Sequence, residues 1–370
     1  MLAAQGYQVD IFKPFNPDEG DIPSDAVHVI HGCQYSSNPL VRILSLRKLQ
    51  LSMLKAGHSY IALFGIDAYG LLVASAARSK FRTPVIYFSL ELLSLNTNAC
   101  DVRGRKLMHR LGYYAHQILL KWIEKRLHKN VALTVIQDEI RWAVLRRLNR
   151  INADAPVVFL PNSPCADKET VEHSDYLRRK YSIPSDRTIV LYAGALGVWS
   201  GINRIAEAAQ TWPERFVLVL HGWGLPQFMN CFRKKIADLH GRIILSLDQM
   251  DMYEYEKMLC SADIGLAWYA DRDDPTNYYI GSASGKLFHY LKHGLPVVTN
   301  RFPGLPEIVE AHDAGICLEH EAGIGDGLVK IEQEYNHYSR NARACFVNYE
   351  FSSRFSKVLD FIQAKLSQYT

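Results

Sequence analysis

Apolar, strand-like runs alternate with amphipathic helical runs along almost the whole of this chain, and that alternation restricts it to very few architectures. VHVIHG, YIALFG, VIYFSL, ALTVIQ and VVFLPN are short and rich in β-branched and aromatic residues. Helical patterns such as AYGLLVASAARS and GYYAHQILLKWIEKRLHK lie between them. Repeats of this kind build parallel sheets covered by helices. From Thr188 the pattern restarts with TIVLYAG, FVLVLHG, RIILSL, IGLAWY and LPVVTN. The expected fold class is α/β, with two successive parallel-sheet domains, and 370 residues suffice for both cores. The polar, proline-marked stretch 161–187 holds the boundary. This gives an N-terminal domain over 1–162, a linker over 163–187, a C-terminal domain over 188–348 and a helical segment over 349–370. NARACFVNYEFSSRFSKVLDFIQAKL reads as helix. The opening MLAAQGYQVDIF reads as the end of a helix, a Gly turn and a strand, so the strand and loop that normally precede such a helix are expected upstream or lost.

Charge is unevenly divided. Residues 1–165 carry 20 Lys and Arg against 12 Asp and Glu, and the remainder carries 22 against 26. A basic half and an acidic half imply different partners for the two surfaces. The seven cysteines are scattered without a CxxC pair, so neither a zinc ribbon nor a disulfide framework is indicated, and a reducing cytoplasm is the simple expectation. The longest apolar stretch, 59–77, is interrupted by Asp67 and two glycines and fits a strand and helix better than a membrane span.

The segment most informative about chemistry is NYYIGSASGKLFHYLKHGLPVVT, from Asn277 to Thr299. Its small residues, Gly281 to Gly285, lead into a helix that Ser284 or Gly285 can cap. Gly294 suits the left-handed residue after a helix, Pro296 stops continuation, and Val297 to Thr299 read as strand. A glycine-rich loop at a helix N-terminus is an anion site, and Lys286 adds a full charge, so a phosphate or diphosphate is expected there. The plain alternative is an ordinary turn. Lys286, His289 and His293 share one helix face. His289 and His293 also have metal-ligand spacing, but position 290 is Tyr where a zinc protease has Glu, so no metal is expected. Two further glycine loops, Gly194 to Gly201 and His221 to Gly224, follow strands expected at the same sheet edge, where ligands of open parallel sheets bind. Glu91, after the strand-like VIYF, is a candidate base or hydroxyl acceptor, or else a solvated carboxylate. The helix from Tyr113 to Lys129 sets Leu119, Leu120, Trp122 and Ile123 against Lys121, Lys125, Arg126 and Lys129. It could lie on an anionic membrane or be an ordinary surface helix.

Together these motifs resemble the GT-B fold, and specifically the family 4, or group 1, glycosyltransferases. Nearly the whole chain fits that order of elements: MLAAQGYQVDIF, VVFLPNSP, IVLYAGALGVWSGINRIAEA and GSASGKLFHYLKHGLPVVTNRFPGLPEIVE. The resemblance implies two Rossmann-like domains facing a cleft, with a C-terminal helix that can cross back to the N-domain. It implies transfer of a sugar, with retention and without metal or other cofactor, from a nucleotide-diphosphate sugar to a glycan or lipid-phosphate-linked acceptor in polysaccharide or glycoconjugate biosynthesis. The basic N-domain would carry the acceptor site and peripheral contact with an anionic membrane, and no nucleic acid is implied. Lys286 corresponds to the family's phosphate-contacting lysine, and Ser284, Gly285 and Leu287 to the helix N-terminus facing the diphosphate. Gly194 and Gly222 correspond to glycines lining the nucleotide pocket, and His289 stands where a glutamate usually binds the ribose. Glu91 and Lys286 are the expected catalytic residues. Departures concern the reacting centre: Gly281 and His289 replace the E-x7-E carboxylates, Ala195 and Ser200 replace basic residues of the glycine loop, and Leu90 replaces a His. These losses leave open a catalytically inactive GT-B protein that binds a nucleotide, a glycan or a partner glycosyltransferase.

Overall fold

The computed structural model describes residues 1–15, 25–34, 39–55, 60–92, 95, 107–166, 174–237, 242–270 and 275–366. They form two compact units. The first comprises Met1–Leu95, Asp101–Phe159 and Phe355–Thr370, and the second Asn96–Cys100 and Leu160–Arg354.

In the first unit six strands run in chain order: β1 Val9–Phe15, β2 Val27–Gln34, β3 Leu63–Ile66, β4 Val85–Phe88, β5 Leu133–Ile136 and β6 Val157–Phe159. They make two separate parallel pieces, β1-β2 and β3-β4-β5-β6. Before β1, Ala3–Gln5 makes a single 3-10 turn closed by left-handed Gly6, whose N–H donates to the Ala3 carbonyl. The opening segment is thus the helical stop and strand that its sequence suggests.

In the second unit β7 Thr188–Ala193, β8 Phe216–His221, β9 Ile243–Ser246, β10 Ile264–Ala267, β11 Val297–Asn300 and β12 Gly315–Leu318 form one parallel sheet. Its order is β12-β11-β10-β7-β8-β9. The β8, β10 and β11 strands are buried along their whole length, and β7 from Ile189 onwards. Apolar layers therefore cover both faces, one built on Leu191, Leu287 and Leu291, the other on Val190, Ile205 and Phe232. This explains why these strands read as unbroken apolar runs rather than alternating ones.

Three details differ from the sequence reading. The stretch expected as one terminal helix is two, Tyr335–Val347 and Phe351–Leu366, broken at 348–350, where the Glu350 carboxylate accepts from the N–H groups of Ser352 and Ser353. The stretch 163–187 contains its own helix, Tyr176–Tyr181, anchored by fully buried Leu177. The basic helix begins earlier than Tyr113, at Leu107, and ends at Leu127 with a 3-10 turn behind it. Its inward residues include Leu120 and Glu124, whereas Leu119 and Trp122, expected on a shared apolar face with Leu120, are exposed. Glu124 is drawn inward because its Oε1 accepts a 2.8 Å hydrogen bond from the Tyr87 hydroxyl. Burial holds its carboxyl above the usual range.

Candidate functional site

The second unit gathers its three glycine loops at the carboxyl edge of its sheet. At the end of β7, Gly194 donates its N–H to His221 O at 2.9 Å. At the end of β8, Gly222 has φ 147°, and a Cβ there would stand 1.9 Å from the Gly194 carbonyl oxygen. No side chain fits that approach, so Gly222 is fixed by contact between two backbones. Further along, Leu196 N–H donates to Trp223 O at 2.7 Å. Ala195 lies between, partly exposed on this edge.

The Gly285–Lys292 helix sits against the same edge. Ser284 is its N-cap, accepting from Leu287 N–H at 3.2 Å. The Ser284 hydroxyl also shares a short hydrogen bond with the Tyr269 hydroxyl. Ser284 is buried and therefore serves the cap and its tyrosine. The Gly285 and Lys286 amides lie in the first turn, before the intrahelical ladder begins with Phe288 N–H on Ser284 O. Leu287 and Leu291 are buried in the core and lock the helix onto the sheet. Leu287 thus contributes its backbone to the cap and its side chain to packing. Tyr290 reaches under the sheet, where its hydroxyl accepts from Ala193 N–H at 2.7 Å. Gly281 lies in a buried 3-10 turn, and Asn162 braces that turn, donating from its backbone to Ser282 O and from its side chain to Ala283 O.

Lys286 occupies the centre of this arrangement. Its ammonium stands 3.8 Å from the Tyr192 ring centroid and 4.5 Å from that of Tyr269. A Cβ built on Gly194 would meet its Cε at 3.4 Å and its Nζ at 3.5 Å. Burial pushes the amine down to about 7. Two aromatic faces hold a lysine by cation–π attraction without consuming its hydrogen-bond donors in ion pairs.

His289, one turn on, lies edge-on to Tyr255 with ring centroids 5.6 Å apart. Tyr255 in turn neighbours His221, whose Nδ1 is 2.9 Å from Ser246 Oγ. His293 belongs elsewhere. Its Nε2 is 2.5 Å from Glu256 and its Nδ1 3.2 Å from Cys260 Sγ. Burial opposes the charge of Glu256, yet His293 and Lys292 overcome it and hold that carboxyl down at about 2. The shared face of Lys286, His289 and His293 is therefore divided between an aromatic-lined edge and a buried polar contact.

Glu91 stands in the first unit, exposed after β4. Its turn is built by Asp67, a non-glycine residue at φ 50°, whose Oδ1 accepts from Leu90 N–H at 2.9 Å and Glu91 N–H at 3.1 Å. Arg141 donates to Leu90 O at 2.7 Å and Gln137 to Ser89 O at 3.0 Å. Asp67 and Arg141 were not singled out in the sequence, nor were Tyr192, Tyr269 and Asn162. The one local sign for Asp67 is a charge interrupting an apolar run. Tyr192 and Tyr269 read simply as strand and strand-end aromatics. The acidic run Asp271–Asp274 lies outside the described residues.

No family model matches this sequence, and no curated protein matches it. Solved structures do match. Sucrose-phosphate synthase from Thermosynechococcus elongatus superposes with a TM-score of 0.75 at 17% identity, over 100% of this chain and 91% of that one. WaaG, a glycosyltransferase involved in lipopolysaccharide biosynthesis, gives 0.71 at 17% identity, over 98% and 92%. Anabaena HepE, solved with UDP-glucose, gives 0.65 at 15% identity, over 93% and 86%. The chain has the GT-B fold. These likenesses extend across both units and concern the fold.

Proposed function

We propose that this chain is a retaining, metal-independent glycosyltransferase of the family 4 type. It moves a sugar from a nucleotide-diphosphate sugar to a glycan or lipid-phosphate-linked acceptor in polysaccharide or glycoconjugate biosynthesis. The observation that carries this reading is Lys286, held between Tyr192 and Tyr269 at the N-terminus of a capped helix and beside Gly194. A lysine, the first-turn amides and a side-chain-free approach converge where a diphosphate would rest. As the sugar leaves, negative charge grows on the diphosphate, and a preorganised cation and helix N-terminus stabilise it. Among solved neighbours, HepE binds UDP and UDP-glucose, which supports a uridine donor as the first to test.

His289 takes the ribose side in this reading. A neutral imidazole can accept one ribose hydroxyl but lacks the bidentate grip of a carboxylate. Exposed Trp223, at 69%, follows Gly222 and offers a face for base stacking. Glu91, on a turn fixed by Asp67 and Arg141, is the proposed acceptor-side carboxylate.

The Leu107–Leu127 helix is proposed as the membrane contact. Among the described residues no helix is long and apolar enough to cross a membrane. This one presents Leu111, Tyr114, Ile118, Leu119 and Trp122 to solvent, with Ile118 68% and Trp122 62% exposed. Lys121, Lys125 and Arg126 accompany them. An outward apolar stripe with basic residues suits an anionic interface.

Titration calorimetry with UDP-, GDP- and ADP-sugars, on wild type and Lys286→Ala, tests the donor site. Binding of one donor class that weakens in the variant is the expected result. Failure of every donor to bind overturns the reading. Donor binding without turnover on any acceptor favours an inactive GT-B protein.

A further inference from the structure

The Gly285–Lys292 helix carries two lysines in opposite situations. Lys292 is committed to an ion pair: its Nζ lies 3.1 Å from Glu256 Oε1, and both side chains are only 9% exposed. Lys286 has no such partner among the described residues. The ring faces of buried Tyr192 and Tyr269 enclose its amine, with centroids 3.8 and 4.5 Å away. Both tyrosine hydroxyls are engaged elsewhere. Tyr192 donates to Ala195 O at 3.4 Å, and Tyr269 is bonded to Ser284.

An amine in apolar surroundings with no anion beside it gives up its proton more readily than one in water. Burial alone pushes this one down to about 7. A neutral lysine has a free electron pair and is a nucleophile. The residue keeps part of its surface exposed, so a small solute reaches it. The amides of Gly285 and Lys286 stand at the same helix end, ahead of the intrahelical ladder, and neither has a partner among the described residues. A nucleophile beside an anion seat selects one class of reagent: an activated acyl group carried on a phosphate.

We propose that Lys286 is a modification site, acylated directly by acyl phosphates, and that its acylation disables the anion seat beside it. The proposal rests on the reading of this helix N-terminus as a phosphate site. The reagent's phosphate docks on the Gly285 and Lys286 amides, which brings its acyl carbon to the amine. The nitrogen electron pair attacks that carbon. An amide C–N bond forms, the acyl C–O bond breaks, and inorganic phosphate leaves with the electron pair of that bond. The surplus nitrogen proton passes to phosphate or water. The same two amides stabilise the charge gathering on the leaving phosphate. The product is a neutral amide, so the cation that would hold a diphosphate is gone. An acyl phosphate thus competes with diphosphate ligands for the seat and then disables it.

The test uses the full chain, with acetyl phosphate as the anionic acyl donor and p-nitrophenyl acetate as an uncharged one. Sites and rates are read by peptide mass spectrometry, and exposed Lys330 is the internal reference. With acetyl phosphate, Lys286 should be acetylated at least about tenfold faster than Lys330, from its larger neutral fraction. Inorganic diphosphate should suppress this. The rate at Lys286 should level off above pH 7, since its amine lies at about 7, whereas an ordinary lysine gains neutral amine up to about pH 10. Calorimetry with inorganic diphosphate should show binding to the untreated chain and at least about tenfold weaker binding after acetylation. Lys286→Arg should remove the fast reaction, because a guanidinium stays charged. The proposal is overturned if Lys286 reacts no faster than Lys330 with either reagent, a result that leaves the phosphate-site reading standing. A preference for Lys286 with the uncharged ester alone also overturns it, and removes the phosphate site with it. Fast, diphosphate-sensitive acetylation in a chain that binds no nucleotide sugar supports the proposal and sinks the donor reading instead.

Discussion

Lys286 is held by two tyrosine faces, and this has a measurable consequence. Its amine lies at about 7, below the ordinary lysine value, because burial disfavours its charge. Between that value and the unfolded lysine value the unfolded chain binds more protons than the folded one. The stability of the ligand-free protein should therefore rise with pH through that window, and the cost of the buried charge is felt in full below it. A diphosphate bound there, as proposed, would reverse the preference by pairing with the protonated amine. Donor binding at pH 8 should then take up about one proton per site, read from calorimetry in buffers of different ionisation enthalpy. Lys286→Ala should abolish the uptake and weaken binding by about 10- to 100-fold, the range of one charge-assisted hydrogen bond. Gly222 makes a second prediction at this scale. Gly222→Ala puts a Cβ against the Gly194 carbonyl at a left-handed φ. It should cost about 2–4 kcal/mol in urea unfolding and impair donor binding as well.

At the scale of elements, the Gly285–Lys292 helix was legible because its signals are local. Ser284 caps it, Gly294 takes φ 69° behind it, and β11 follows with Val297–Asn300. Each depends on residues within a few positions. The Leu107–Leu127 helix shows the opposite case. Its sequence reveals an apolar and basic pattern but not which side meets the protein. Tyr87 is contributed by a distant strand, and its bond to Glu124 helps turn the helix so that Ile118 and Trp122 face outwards. The double variant Ile118→Asp, Trp122→Asp should reduce partitioning onto vesicles containing phosphatidylserine by at least about 100-fold in sedimentation, from two lost buried side chains. Circular dichroism should stay unchanged, since neither side chain is in the core.

At the scale of the whole molecule, the first unit is expected to be sensitive to mild acid. His128 is almost fully buried; Asn149 donates to its Nδ1 at 3.0 Å, and its Nε2 lies 2.8 Å from Thr134 Oγ1. Asn149 thus selects the neutral Nε2–H tautomer, which donates to Thr134. Burial pushes this histidine down to about 4. The unfolded chain takes up the proton first, so the stabilisation is present above the unfolded histidine value and is lost as pH falls towards 4. Moving from pH 7 to pH 5 should cost the first unit about 2 kcal/mol, seen as faster amide exchange in β4 and β5. His128→Gln, if it folds, should flatten that dependence.

The alternation of short apolar runs with amphipathic ones determined the two parallel-sheet units, because strand and helix periods are written in neighbouring residues. The Gly285–Lys292 helix and the order of glycine loops were likewise readable along the chain. Tertiary structure decided which distant groups meet: the tyrosine pair around Lys286, the backbone contact that requires Gly222, the Asp67 turn under Glu91, and the outward side of the basic helix. Such features join residues far apart in sequence, and packing and hydrogen bonding select those partners only once the chain has folded.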